Sequence, residues 1–212
     1  MKLDFNTEYV LENSRVRLTP LKMADFDNLV SFATHEPELW TNALIDASSP
    51  EKMKIYIEKA LQERQNKSSY AFIVFDKQKN KYAGSTRFYA IQIENATLNI
   101  GFTWYGKEFQ GTGINKNCKY LLLEFAFDIL KMERVEFRAD NKNQVSINAM
   151  KSIGCVVEGV LRSNMYKPNN ERRDTIVLSI LKDEWNSILK QKLKDDASLL
   201  TTKSSWGALP PQ

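Results

Sequence analysis

Apolar and polar positions along the chain change period several times, and each change marks an element. Arg15-Val16-Arg17-Leu18 alternates with period two and stops at Pro20, which predicts a first strand. Phe26, Leu29, Val30 and Ala33 then recur at helical spacing, and Met53, Tyr56, Ile57, Ala60 and Leu61 form a second helical stripe. The second helix has a readable start. Ser48 stands three residues before Glu51 in a capping-box arrangement, and Pro50 falls near the first helical position. From Tyr70 the period shortens. Phe72-Ile73-Val74-Phe75 is an apolar run closed by the polar turn 76–80, and residues 82–90 read as its hairpin partner. Residues 97–105 follow with Leu98, Ile100, Phe102 and Trp104 on one face, and Gly101 among them invites a bulge.

After the loop 106–113 comes the strongest helical pattern, with Ile114, Cys118, Leu121, Leu122, Phe125 and Ile129 on one face. Residues 135–139 alternate again, and Asn143 is placed to cap a short helix that stops at Gly154. Residues 156–161 and 175–181 are the last predicted strands, and an amphipathic helix covers 182–195. The order β-α-α-β-β-β-α-β-α-β-β, plus the C-terminal helix, predicts an α+β domain over residues 1–195 with a mixed sheet of about seven strands. Residues 196–212 are polar and Pro-containing and are expected to form a loosely ordered tail.

Composition narrows the class. The 212 residues are 42% hydrophobic and 26% charged, a globular balance, and a chain of this length buries a core without disulfides or metals. The net charge of +4 is mildly basic, with no basic block of the kind that forms a nucleic-acid-binding arm. No apolar run is long enough for a membrane span. Cys118 and Cys155 lie in apolar settings without a CxxC pair and read as reduced core thiols. Met1-Lys2-Leu3-Asp4 leads into polar residues, which predicts no secretory leader and a cytoplasmic protein.

The informative segment is a strand, then Gln110-Gly111-Thr112-Gly113-Ile114-Asn115, then the long helix. Small residues in a tight turn let the backbone approach a ligand, and the first helical turn presents N–H groups with no internal partner at the positive end of the helix dipole. Phosphate oxygens suit that arrangement, although a glycine corner that merely starts a helix has the same look. A dinucleotide fingerprint fails, because Lys116 fills the third glycine position after Gly111 and Gly113. A Walker loop fails too, since no Gly-Lys-Ser/Thr occurs.

Residues 14–185 resemble the GCN5-related N-acetyltransferase (GNAT) superfamily, in the branch that contains ribosomal-protein N-terminal (alanine/serine) acetyltransferases. Gln110-x-x-Gly113-x-Asn115 matches that family's phosphate loop except at its last position, where Gly or Ala is usual. Asn143-x-x-Ser146-x-x-Ala149-x-x-x-x-Gly154, then Glu158-Gly159-x-Leu161-Arg162 and Asp174, matches its second half in order and spacing. The resemblance implies a GNAT-type sheet in which strands 97–105 and 135–139 splay apart, with acetyl-CoA in the gap between them. It also implies that the pantetheine arm pairs with strand backbone like an added strand. The pyrophosphate would rest on the backbone of Gln110, Gly111, Thr112, Gly113, Ile114 and Asn115, and the thioester against Phe102, Thr103 and Trp104. Asn143 and Ser146 would touch the pantetheine or thiol end, with helix capping as the plain alternative for both. Lys116, Lys119 and Lys142 read as surface lysines, with contact to the nucleotide phosphates as the alternative.

A protonated amine cannot attack a thioester, so a base must take its proton, and the oxyanion needs a donor such as the N–H of Thr103 or Trp104. Many relatives carry the base where this chain has Asn99, which cannot accept a proton. In the ribosomal-type branch the base lies where Glu158 stands, so Glu158 is the candidate base and Ser146 the candidate acid, with Tyr166 in reserve. His35 reads as a surface residue. The expected activity is acetyl transfer from acetyl-CoA to a primary amine by direct attack in a ternary complex. The acceptor would be a protein N-terminus or a small amine, in a groove formed by the first two helices, including Trp40, and the loop 163–173. No metal, nucleic acid or membrane is called for, and the chain would act as a monomer or homodimer. The competing expectation is a non-catalytic acyl-CoA-binding module.

Overall fold

The computed structural model describes residues 3–202. Its strands are β1 (Leu11–Glu12), β2 (Val16–Pro20), β3 (Ser69–Asp76), β4 (Lys81–Gln92), β5 (Thr97–Tyr105), β6 (Arg134–Asp140), β7 (Val156–Tyr166) and β8 (Arg172–Leu181). The helices are α1 (Phe26–His35), α2 (Pro50–Gln65), α3 (Ile114–Glu124, continued by a π-helical turn at Phe125–Ile129) and α4 (Gln144–Ser152). The C-terminal helix α5 begins as Lys182–Glu184, passes through a π-helical turn at Trp185–Leu189 and continues as Lys190–Thr202. The eight strands form one mixed sheet in the order β1-β2-β3-β4-β5-β6-β8-β7.

Helices cover both faces. Arg87 on β4 packs under the Tyr56 ring of α2, while Phe88, one residue on, stacks on Phe125 at the end of α3. Successive strand residues point to opposite faces, so α2 and α3 lie on opposite sides of the sheet. The predicted stripe Met53, Tyr56, Ile57 and Ala60 is the buried side of α2. Its cap is Ser49, whose Oγ accepts from Lys52 N, and not Ser48: Pro50 is the first helical residue, so the cap is the residue before it. α5 runs beyond the expected end at Asp195, because Leu193 and Ala197 are buried and Asp196 accepts from Lys116 Nζ at 2.8 Å. Of the tail expected at 196–212, residues 203–212 lie outside the described residues.

The feature that positions the site is the meeting of β5 and β6. It is the sheet's one parallel pairing and contains three partners, Thr97 with Arg134, Leu98 with Val135 and Asn99 with Glu136. Beyond Asn99 the ladder stops, although β6 stays paired with β8 through Asp140. The β4–β5 ladder is irregular at the same level: Arg87 opposes Gly101 and Ser85 opposes Trp104, so Phe102 and Thr103 together face Thr86. An extra residue bends and twists a strand, and Phe102 adopts φ 50° to accommodate it. The expected splay is present, and the bulge sits immediately after Gly101.

Candidate active site

The open edge of β5, residues 100–105, is roughly 20 Å of strand backbone without a ladder partner on the β6 side. It leads through the turn at Gln110–Gly113 to the start of α3. Gly111 and Gly113 have φ 71° and 88°, the left-handed region in which side chains are strained. A Cβ at Gly111 would meet nothing within 4 Å, so the turn presents bare backbone to open space. Gly113 caps α3 without a side-chain hydrogen bond, and the first turn of the helix holds no acidic residue of its own. Gln110 and Thr112 bond back to the chain before the turn: Gln110 Nε2 donates to Tyr105 O at 2.9 Å and Thr112 Oγ1 to Phe109 O at 2.6 Å. Their side chains brace the turn, leaving its backbone to meet a ligand.

The bulge is held from both sides. On the α2 side the Phe102 ring lies under the Arg87 guanidinium at 4.4 Å and edge-on to Tyr89 at 5.1 Å. Gly101 allows this, because a Cβ there would sit 2.7 Å from the Tyr89 ring. Arg87 is itself buried and paired with Glu63 at 2.9 Å. On the α3 side Thr103 Oγ1 lies 2.8 Å from Thr86 Oγ1 and accepts from Lys119 Nζ at 2.8 Å. Lys119 is no surface lysine: it is 5% exposed, and burial pulls its ammonium down to about 8. The Trp104 ring joins Trp40, Tyr56 and Phe32 in a buried aromatic cluster, so Trp104 can reach a ligand only through its backbone. Trp40 belongs to that core, at 5% exposure, and does not line an open groove.

On the α2 side of the sheet a strip of charge crosses three strands. Asn99 Nδ2 donates to Glu136 Oε1 at 3.1 Å, and Glu136 accepts from Arg134 at 2.9 Å and Arg138 at 2.6 Å. Burial opposes the charged form of Glu136, but these arginines outweigh it and hold its carboxyl below the usual range. Glu158 accepts from both terminal guanidinium nitrogens of Arg134, Nη1 and Nη2, and from Ser179 Oγ at 2.5 Å, and the Arg134 hydrogen bond is the main cause of its lowered pKa. With β6 and β8 between β7 and β5, Glu158 stands three strand spacings, roughly 14 Å, from the β5 backbone. The structure therefore sets Glu136, which the sequence pattern gave no reason to single out, nearer the gap than Glu158.

Asn143 caps α4, its Oδ1 accepting from Ser146 N at 3.0 Å, so the capping alternative holds for its oxygen. The Ser146 side chain is half-buried on the first turn of that helix. Tyr166 is exposed at the far end of β7 under Arg172, and His35 is exposed with Nδ1 on Ser31 O. Cys118 and Cys155 are free and buried, and burial pushes both thiols up to about 12. Among the described residues there is no cluster of His, Cys, Asp or Glu able to hold a metal ion, and no helix is long and apolar enough to cross a membrane.

Residues 15–156 match the family profile described as an acetyltransferase (GNAT) domain. The chain is 35% identical over 91 residues to a Bacillus subtilis (strain 168) protein named "Putative ribosomal N-acetyltransferase YdaF". That match covers 43% of this chain and 49% of the relative, so the chain spans about half the length of that curated protein. The crystal structure of a GCN5-related N-acetyltransferase from Brucella melitensis superposes with a TM-score of 0.83 at 25% identity, covering 93% of this chain and 87% of that one. A ribosomal-protein-S5-alanine acetyltransferase from Vibrio fischeri shares the fold, with a TM-score of 0.68, 20% identity and coverage of 84% and 99%.

Proposed function

The chain belongs to the GNAT acetyltransferase family, and from that premise we propose that it moves acetyl from acetyl-CoA to the N-terminal amine of a polypeptide, by direct attack within a ternary complex. The observation that carries the reading is the ladder that stops at Asn99 and Glu136 and leaves an open strand edge running into an uncapped helix start. Acetyl-CoA supplies the activated acyl group. The backbone of residues 111–115 would receive its pyrophosphate, the edge of β5 its pantetheine amides, and the N–H of Thr103 or Trp104 the carbonyl oxygen as it gains charge. Asn143 and Ser146 stand at the start of α4, where they would contact the arm.

The acceptor's proton leaves through water to Glu136, the carboxylate at the closed end of the gap. Glu158 acts behind it, holding Arg134 in place, and is a positioning residue in this reading. Two observations favour a polypeptide over a polyamine or amino sugar. Glu136 beside the gap and Glu158 behind it are both paired with arginine, so they offer no free anion to a polycation. β7 is exposed along almost its whole length, which leaves that side of the sheet open. The names of the Bacillus and Vibrio relatives point the same way.

The test is CoA release from acetyl-CoA with peptides beginning in Ala or Ser, against spermidine and glucosamine. Peptide turnover is expected. Turnover of the small amines alone would reassign the acceptor. CoA binding without turnover on any amine would favour a non-catalytic acyl-CoA-binding module.

A further inference from the structure

Among the described residues, Lys119 is a buried cation with no carboxylate paired to it. Its Nζ has one hydrogen bond, to the neutral Thr103 hydroxyl, and lies 5.6 Å from the Phe137 ring centroid. It thus touches β5 and β6 at once, on the two sides of the gap. An ammonium carries three N–H donors, and the titratable groups acting on Lys119 are the Cys118 and Cys155 thiols, with no carboxylate among them. The groups facing it are Thr103 of β5, Thr86 beyond it on β4, Phe137 of β6, Cys118 on its own helix and Cys155 after α4. Both thiols are held neutral by burial. A charge taken from water without an opposite partner is costly, by several kcal/mol in typical cases, and it is retained where an arriving group completes it.

We propose that Lys119 is a catalytic residue that receives the sulfur of CoA as the thioester breaks, holding it as a thiolate–ammonium pair on the α3 side of the gap. The inference rests on the reading that this gap binds acetyl-CoA. Thr103, the hydrogen-bond partner of Lys119, is also the bulge residue assigned to the thioester carbonyl, and the sulfur is one bond from that carbonyl carbon. Of the atoms gathered there, sulfur ends the reaction with the full negative charge, and a desolvated cation acts most strongly on a formal anion. In the step itself the acceptor nitrogen forms a bond to the carbonyl carbon and the C–S bond breaks with its electron pair going to sulfur. The proton lost by the nitrogen passes through water to Glu136, and Lys119 keeps its own.

The experiment compares the affinities of CoA, desulfo-CoA and acetyl-CoA for the wild type, Lys119→Met and Lys119→Gln by calorimetry near neutral pH, with melting temperatures and peptide turnover. The wild type should prefer CoA to desulfo-CoA by about tenfold, as a charge-assisted contact allows. Both variants should lose that preference, keep their acetyl-CoA affinity within about threefold, and lose kcat rather than gain KM. Lys119→Met should melt no lower than the wild type, since an apolar chain relieves an unpaired charge. An unchanged CoA to desulfo-CoA ratio in folded variants would overturn the proposal, as would a fall in melting temperature with turnover intact, which marks a structural lysine. A wild type that binds none of the three compounds would bring down the cofactor reading itself, a failure distinguishable from that of Lys119 alone.

Discussion

The two faces of the sheet beside the gap treat charge in opposite ways. On the α2 side Arg134, Glu136, Arg138 and Glu158 form a chain of opposite charges across β6 and β7, each with a partner within hydrogen-bond reach. On the α3 side the one hydrogen bond of Lys119 among the described residues is to a threonine hydroxyl, and the first turn of α3 contains no acidic residue. The compensated face is complete as folded. The uncompensated face is positive at two places, at the start of α3 and at the bulge, and in the proposed complex an acyl-CoA is negative at the first and becomes negative at the second. Charge balance therefore separates what braces the site from what a ligand must finish.

Four changes break or sharpen that contrast. The largest effect is expected from Gly113→Glu, which puts an anion on the face that lacks one and a side chain at φ 88°. CoA affinity should fall by about a hundredfold or more, with circular dichroism unchanged, and calorimetry reads both partners of the comparison. Glu136→Gln keeps the shape of the compensated face while removing the proton acceptor, and kcat should drop by about tenfold to a hundredfold, as for loss of general-base help, with CoA affinity unaltered. Arg134→Gln leaves two carboxylates short of their shared cation, one 15% and the other 40% exposed in the side chain. Scanning calorimetry should show a loss of about 1–2 kcal/mol, or a few degrees. Glu158→Gln should change kcat by no more than about twofold, because a group three strands away acts only through Arg134.

Acid sharpens the same contrast. The folded pKa values of Glu136 and Glu158 lie below their ordinary ones, so the stability these pairs contribute is present above the usual glutamate range and is lost as pH falls through the folded values. Melting curves from neutral pH down to about 3.5 should fall less steeply for Glu158→Gln than for the wild type.

The uncompensated face was partly legible in the sequence and the compensated one hardly at all. Gly111 and Gly113 announce themselves, because only backbone freedom explains two glycines ahead of a strong helical stripe, and Asn143 reads correctly as a cap from its residue type. The gap comes from the family resemblance alone, since a strand, a helix and a strand in succession give a parallel neighbour but do not say where its pairing ends. The pattern reads Lys119 as a surface lysine because a lysine one position off an apolar stripe normally reaches water; its burial follows from Thr103 and Phe137, which lie on two strands distant in sequence. Glu136 was passed over for the same reason: alternation marks it as outward-facing, and only the register Asn99 to Glu136 places it beside the gap. The pattern puts Trp40 in a groove wall, and the cluster with Trp104 and Tyr56 that buries it depends on the packing of α2 on β5.

The central claim is that the gap between β5 and β6 holds acetyl-CoA. It is tested most directly by the melting temperature of the unmodified protein with and without that compound. At a concentration near one hundred times the dissociation constant, binding to the folded state alone adds about 2.7 kcal/mol, which for a chain of this size is a rise of roughly 5–10 °C. A rise of that order, shared by CoA and absent with adenosine or pantetheine alone, is the predicted result. A melting temperature indifferent to both acetyl-CoA and CoA would contradict the account.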